Sequence, residues 1–305
     1  MSDLLKTPPD CATLAHPCSG IRVIVTPRES DIGGGFLVRR LLPAAELRSL
    51  GPFIFFDHLG PATFEPGSGI DVRPHPHIGL ATVTYLFDGE ILHRDNLGCV
   101  QPIEPGAINW MTAGRGIAHS ERTPPHVRRQ RHTLHALQLW VALPAADEET
   151  EPAFCHYGAE TIPLLTKKGV SVRVLIGSAA GATSPVQTFS PTLYLEVVLE
   201  DGATFKLPDD VEERGVYVVS GGVQVGKTAI ATHSMAAFET GMEIELKATE
   251  ECRLVVIGGQ PLGKRTVWWN LAATRRELIE KAKTAWQEGR FAPIPGETEF
   301  APLPE

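Results

Sequence analysis

The sequence predicts an all-β protein made of two tandem β-barrels and a C-terminal helix. Short runs rich in Val, Ile, Leu and aromatic residues recur throughout, and most end at a Gly, Pro or Asp that favours a turn. The chain has 305 residues, more than one core usually supports. Both halves contain an apolar strand, a turn ending in Gly and a second strand, in "YLFDGEI" (85–91) and "YVVSGGV" (217–223). These observations indicate a duplicated barrel unit.

We place the first barrel at residues 1–145 and the second barrel, with the helix, at 146–305. The stretch 144–169 is the predicted linker, because it is charged and rich in turn-forming residues. The division therefore falls at the start of the segment "PAADEETEP".

The helix is predicted over about 274–289. Thr274 and Glu277 form a T-x-x-E capping box, and Gly289 stands where a C-terminal cap belongs. We expect an apolar stripe to pack against a barrel, and partner binding is the alternative. The stripe consists of Leu278, Ala282, Ala285 and Trp286.

Composition indicates a cytoplasmic protein. The net charge is −8 and no basic cluster is visible, which argues against direct binding to nucleic acid or to an anionic membrane. No apolar run reaches transmembrane length, and the first residues lack the pattern of a secretory signal. An odd, scattered set of cysteines without C-x-x-C favours reduced thiols. They are Cys11, Cys18, Cys99, Cys155 and Cys252.

Two pairs of residues suggest a metal centre. His75 and His77 in "RPHPHIGLATVTY" point to one face of a strand, and Pro76 between them favours a strand edge. Alone, such a pair is equally consistent with two structural histidines. His119 and Glu121 in "WMTAGRGIAHSER" form a second same-face pair. Together they offer three imidazoles and a carboxylate to a first-row divalent ion, with open positions for substrate or dioxygen.

The alternative for the second pair is structural. In it, Glu121 forms an ion pair with Arg115 or Arg122 on a surface loop.

These motifs resemble the pirin family, a branch of the two-barrel cupins. The similarity covers "RPHPHIGLATVTYLFDGEILHRD", "INWMTAGRGIAHSE", the flanking "PFIFFDHLGP" and "LQLWVALP", and the C-terminal "RTVWWNLAATRRELIEKAKTAWQEGRFAPIPGE". The resemblance implies a bicupin with one metal, usually iron, on His75, His77, His119 and Glu121. Some family members resemble quercetin 2,3-dioxygenases.

The sequence departs from related patterns at two places. Many cupins carry a ligand glutamate three or four residues after H-x-H, where this chain has Ala81 and Thr82. Glu121 is therefore the single candidate carboxylate. The residue after H-x-H, often arginine in pirins, is Ile78. We expect this change to alter polarity near the site and hence substrate preference.

The second half lacks a comparable cluster. If Gly221 matches Gly89, then Asp209 takes the place of His77, and His233 stands alone. We therefore predict a second barrel without metal. The segment "GGVQVGKT" (221–228) matches a nucleotide-binding P-loop, but no clean helical stripe follows it. We interpret it as a hairpin with Lys227 in the turn.

The function that the sequence favours is an iron(II) dioxygenase acting on quercetin or a related enolisable aromatic, with dioxygen as co-substrate. Glu121 would be both ligand and general base. The alternative is a metal-dependent regulatory or redox-sensing protein that binds a protein partner, as some pirins are described as transcription cofactors. A third possibility, a sugar-phosphate isomerase on the same fold, is not favoured, because this sequence has no Arg/Lys cluster near the motifs that could hold a phosphate.

Overall fold

The computed structural model of the chain describes residues 20–32 and 36–304. Up to the middle of the chain, the elements are β1 (Ile21–Val25), β2 (Arg28–Asp31), β3 (Leu37–Leu42), β4 (Phe53–Phe64), β5 (Asp71–His77), β6 (Leu80–Asp88), β7 (Ile91–Asp95), β8 (Val100–Ile103), β9 (Ile108–Thr112), β10 (Ile117–Arg122), α1 (Pro125–Arg128), β11 (His132–Ala142) and β12 (Ala153–Tyr157).

The remaining elements form the second half and the C-terminal region. They are β13 (Leu164–Lys167), β14 (Val170–Ile176), β15 (Ser178–Ala179), β16 (Ala182–Thr183), β17 (Thr192–Leu199), β18 (Thr204–Lys206), β19 (Glu213–Ser220), β20 (Val223–Val225), β21 (Thr228–Ile230), β22 (Met235–Phe238), β23 (Glu245–Ala248), β24 (Cys252–Gly259), β25 (Thr266–Trp268), β26 (Leu271–Ala273) and α2 (Arg276–Gln287).

The two halves have the same topology, which confirms the two-barrel prediction. A seven-stranded sheet has the order β12-β9-β6-β11-β4-β3-β2 in the first half and β1-β22-β19-β24-β17-β14-β13 in the second. The four-stranded sheets β5-β10-β7-β8 and β18-β23-β20-β21 also correspond strand for strand. Gly89 and Gly221 occupy equivalent turns with φ of +92° and +75°. At each of them a Cβ would approach a backbone carbonyl oxygen, so both turns require glycine.

The halves exchange strands. β1 precedes the first barrel but pairs antiparallel with β22 of the second, and β12 precedes the second barrel but pairs with β9 of the first. The division at residue 145 stays a prediction, and each sheet takes its outermost strand from across it. The predicted linker at 144–169 contains β12 and β13. Both are edge strands with largely exposed side chains.

The hydrophobic core lies mainly between and inside the barrels. Side chains from both seven-stranded sheets form one cluster that includes Phe53, Phe56, Tyr85, Tyr194 and Tyr217. A second cluster fills the interior of the second barrel and includes Val174, Leu195, Val216, Leu246 and Val256.

The interior of the first barrel has a polar zone between apolar ends. Along β6, Thr82 and Thr84 lie between Leu80 and Leu86, which belong to different apolar clusters. Along β11, Gln138 separates the same two clusters. The fold therefore leaves room for polar chemistry in this barrel, where its counterpart is filled with aliphatic side chains.

Helix α2 confirms the predicted helix and its C-terminal end. Gly289 has φ of +65° and donates its N–H to Trp286 O at 3.1 Å, while Arg290 N donates to Ala285 O at 2.8 Å. This is the Schellman arrangement. Ala282 of the predicted stripe is buried against β26, together with Ile279, which the stripe omitted.

The predicted capping box is wrong. Arg275 occupies the N-cap position, and no side chain caps the helix. Thr274 instead donates its hydroxyl to Glu148 Oε1 at 2.6 Å, with its backbone N–H on Glu148 Oε2 at 2.8 Å. Thr274, which the local pattern predicted to cap the helix, therefore binds a buried carboxylate from a distant loop instead.

The P-loop-like segment forms the hairpin that we predicted. β20 and β21 pair with Val223 opposite Ile230 and Val225 opposite Thr228. Gly226 and Lys227 form an exposed turn, and Gly226 has φ of +58°. The segment is therefore not followed by the helix that a phosphate-binding loop needs.

Three cysteines, Cys99, Cys155 and Cys252, carry free thiols. Cys11 and Cys18, and the N-terminal stretch in which a secretory signal was sought, lie outside the described residues. Among the described helices, none combines the length and apolar character needed to cross a membrane.

Candidate metal centre

Strands β5 and β10 bring the four predicted site residues to the interior of the first barrel. They are adjacent and antiparallel, with His119 opposite His75 and Ile117 opposite His77. As Pro76 suggested, β5 is an edge strand. All four side chains are buried. One ligand nitrogen from each of His75, His77 and His119 lies within 4.8 Å of the others.

A strand irregularity brings Glu121 close to His119. The pairing register of β5 and β10 shifts between His119 and Glu121, so that Glu121 stands opposite Val72. A carboxylate oxygen of Glu121 lies within 4.8 Å of ligand atoms of His119 and of a fourth histidine, His93, on β7. Two overlapping groups of possible ligands therefore share His119.

Hydrogen bonds orient two of the imidazoles. His75 Nδ1 donates to the carbonyl oxygen of Arg73 and His77 Nδ1 to that of Asn270, both at 2.8 Å. Because a carbonyl only accepts, each Nδ1 carries the proton, and a neutral ring then presents a bare Nε2 to the centre. Burial lowers the pKa of His75 to about 4 and that of His77 and His119 well below the usual value, so the rings are neutral at pH 7.

The donor set fits a divalent cation. His77 Nε2 and His119 Nε2 lie 3.1 Å apart in a buried position, and burial raises the pKa of Glu121 beside them. Convergent lone pairs and a buried carboxylate are costly without a positive partner. Three imidazole nitrogens and a carboxylate oxygen are ligands that suit first-row ions such as Fe(II), Co(II), Ni(II) or Zn(II).

The surface ion-pair alternative for Glu121 is wrong. Arg122 is bound to Glu297 at 2.6 and 2.8 Å, and Arg115 pairs with Glu151 on the surface. Glu121 accepts instead a 2.9 Å hydrogen bond from Thr84 Oγ1. The same hydroxyl lies 2.9 Å from the Gln138 side-chain amide. A hydroxyl has one proton, so Thr84 can donate to Glu121 only if the Gln138 amide turns its NH₂, and not its Oε1, towards Thr84.

A cavity of about 710 Å³ opens beside these residues, within the range of small-molecule sites. Its lining adds aromatic and polar groups to the candidate ligands. These include Arg40, Phe55, Asp57, Gln138, Trp140 and Trp269.

The expectation for Ile78 is wrong. Its side chain is buried against Leu271 and Ile279, beneath α2, and so does not contribute to the polarity of the cavity.

Two residues that the sequence analysis missed, His93 and Asp95, adjoin His119. His93 Nδ1 lies 3.4 Å from His119 Nδ1, and His93 Nε2 lies 2.9 Å from Asp95 Oδ2. The available signal was "ILHRD" (91–95), a same-face H-x-D pair on a short strand directly after Gly89. It lacked significance until β7 was placed beside β10.

The fold and the site together define a two-barrel cupin with a His/Glu cluster inside its first barrel. Residues 35–141 match the Pirin family and residues 194–292 match the Pirin C-terminal cupin domain. The chain belongs to the pirin family.

Relatives and solved structures agree with this assignment. A pirin-like protein of Caulobacter vibrioides is 43% identical over 289 residues, covering 93% of this chain and 100% of the relative. Human pirin is 36% identical over 250 residues, covering 79% of this chain and 83% of its own. The crystal structure of a quercetin 2,3-dioxygenase from Acinetobacter baumannii superposes with a TM-score of 0.86 at 34% identity, covering 92% of this chain and 94% of that one.

Proposed function

We propose that the chain is a metal-dependent dioxygenase that cleaves quercetin or a related enolisable aromatic, with iron(II) as the first candidate metal. The ligands would be His75, His77, His119 and Glu121. The observation that carries the proposal is the convergence of three neutral imidazoles on the wall of a 710 Å³ cavity, with the Glu121 carboxylate beside one of them, His119. Similarity to the Acinetobacter baumannii quercetin 2,3-dioxygenase supports this choice of substrate class.

The cavity offers contacts for a flat, hydroxylated molecule. Trp140 stacks on Phe55 with ring centroids 4.0 Å apart, and Trp269 also lines the cavity. Aromatic side chains provide large apolar contact to a planar ligand. Arg40 and Asp57, joined by hydrogen bonds of 2.7 and 2.8 Å, supply polar groups for hydroxyl substituents.

Glu121 is the candidate general base. The bound metal would act as a Lewis acid that lowers the pKa of a substrate hydroxyl. Glu121 would accept the released proton, since burial raises the pKa of its carboxyl group towards the range useful for proton transfer. The hydrogen bond from Thr84, itself held by Gln138, keeps the carboxylate in one orientation.

Oxygen consumption tests the proposal. Protein purified without chelator or nickel resin is analysed for metal, reconstituted anaerobically with Fe(II), and supplied with quercetin in an oxygen electrode. We expect uptake that scales with bound metal and is absent from His75→Ala. Metal bound at one equivalent with no uptake for any flavonol would contradict the proposal and favour the regulatory alternative.

A further inference from the structure

Three buried side chains, Asp95, His93 and His119, form a hydrogen-bonded series that leads to the proposed ligand His119. They expose 0%, 3% and 1% of their surface, respectively. Asp95 Oδ2 lies 2.9 Å from His93 Nε2, and His93 Nδ1 lies 3.4 Å from His119 Nδ1. On the other side of the His119 ring, Nε2 faces His77 Nε2 at 3.1 Å.

The positions of the protons follow from Asp95. Its Oδ1 accepts the backbone N–H groups of Leu97 and Cys99 at 2.9 and 3.1 Å, and an ionised carboxylate held in this way offers Oδ2 to His93 as a further acceptor. His93 Nε2 therefore carries a proton, and a neutral His93 presents Nδ1 as an acceptor. His119 must then donate from Nδ1, which leaves His119 Nε2 unprotonated and aimed at the candidate metal centre.

The surroundings hold this arrangement in place. The ring of Phe154 stacks on His93 with centroids 4.3 Å apart and planes 16° from parallel. Phe154 comes from β12, the strand that crosses over from the second half of the chain. In the pairing of β7 and β10, His119 stands opposite Asp95 and Glu121 opposite His93.

We propose that His93 and Asp95 are positioning residues that fix His119 in the tautomer and ring orientation needed for metal binding. The inference rests on the metal site of the proposed function and does not depend on the reaction that the metal supports. Outer hydrogen-bond partners of ligating histidines typically contribute 10–100-fold to metal affinity. The rival arrangement, in which His93 Nδ1 is itself a ligand with His119 and Glu121, keeps the bond between His93 and Asp95 but requires that His119 carry no proton on the nitrogen that faces His93.

Co(II) is the probe for the test, since its visible absorption reports the number and type of its ligands. The affinity of the wild type for Co(II) is measured at pH 7.5 by competition with a chelator, then that of His93→Phe, Asp95→Asn and the double variant. His93→Phe keeps a ring against Phe154 but removes the acceptor for His119. The matched control is Glu90→Gln, which alters the exposed 2.9 Å pair of His126 and Glu90.

We expect each single variant to bind Co(II) about 10–100-fold more weakly, with an unchanged absorption spectrum and one equivalent bound at saturation. Because Asp95 acts through His93, adding Asp95→Asn to His93→Phe should cost no further affinity. Glu90→Gln should bind like the wild type. Circular dichroism and the thermal midpoint of the metal-free variants identify any that fail to fold, and folded Asp95→Asn suffices if His93→Phe does not fold.

Wild-type affinity in folded His93→Phe or Asp95→Asn would overturn the inference while leaving the metal site intact. A changed spectrum in His93→Phe would overturn it in favour of His93 as a ligand. A wild type that binds no Co(II) would overturn the metal site and this inference together.

Discussion

At the scale of single residues, Glu121 is where metal binding and turnover should separate. Glu121→Gln keeps the shape and one coordinating oxygen but removes the basicity. We expect the variant to hold metal, more weakly than the wild type, because a negative ligand has become neutral. Oxygen uptake with quercetin should fall at least about a hundredfold, within the usual contribution of a positioned acid–base group.

Metal content and oxygen uptake are measured on one preparation, and the rate is expressed per bound metal. Thr84→Val, which removes the hydrogen bond to Glu121 but not the carboxylate, serves as the milder comparison. A rate per metal near that of the wild type in Glu121→Gln would exclude Glu121 as the base.

The cluster of His75, His77 and His119 predicts how many metal ions each chain binds. We expect one metal per chain, and its loss in His75→Ala and in His119→Ala, because each variant removes one of the three nitrogens proposed as ligands. His126→Ala, which removes an exposed imidazole outside the cavity, should retain the metal. Metal analysis after gel filtration gives the ratio, and a value near two, or retention in both site variants, would contradict the site.

At the scale of secondary structure elements, the hairpin of β20 and β21 predicts a substitution that leaves stability and activity nearly unchanged. Lys227 lies in its exposed turn, so Lys227→Ala should change the free energy of unfolding by no more than about 0.5 kcal/mol. Quercetin-dependent oxygen uptake should be unchanged. Urea denaturation and isothermal titration with Mg-ATP provide the measurements. Tight ATP binding that disappears in this variant would mean that the segment is a nucleotide site after all.

At the scale of the whole molecule, buried histidines lie where the barrels meet. His58 Nδ1 lies 2.6 Å from the Tyr217 hydroxyl of the second barrel, and His58 Nε2 lies 2.7 Å from His135 Nε2. Burial lowers the pKa of His58 to about 2 and that of the half-buried His135 to about 4. Further groups acting on this pair are His233, Arg39, Arg253 and Asp88.

This interface predicts that acid destabilises the fold. In the unfolded chain a histidine binds a proton below about pH 6.5, whereas folded His58 stays neutral down to far lower pH. The unfolded state therefore binds more protons, and the free energy of unfolding falls by up to about 1.4 kcal/mol per pH unit for this one residue. His58→Gln, which keeps hydrogen-bonding atoms but does not titrate, should lose less stability.

Urea denaturation of both metal-free proteins at pH 8.5, 7.5, 6, 5 and 4.5 measures the effect. The stability advantage of the wild type over His58→Gln should shrink steadily below pH 6.5 and be constant between pH 7.5 and 8.5. A difference that does not change with pH would show that His58 titrates in the folded protein as it does in the unfolded chain.

The sequence by itself determined the local structure and the first set of site residues. Alternating apolar residues and glycine turns define strands and hairpins within a few positions, which is why the repeated barrel and the turn at Lys227 were predictable. The same two-residue period placed His75 with His77 and His119 with Glu121 on common faces. These features depend on neighbours in the chain, and the sequence displays neighbours directly.

Tertiary structure decided every contact between distant segments. It placed β1 in the sheet of the second half and β12 in the sheet of the first half. It also buried Ile78 beneath α2 and bound Thr274 to Glu148 instead of to its own helix. It also set β7 beside β10, so that His93 and Asp95 meet His119. Strand order and register depend on how two sheets bury their apolar faces together. That free energy belongs to the packed barrels, and no single segment of the chain contains it.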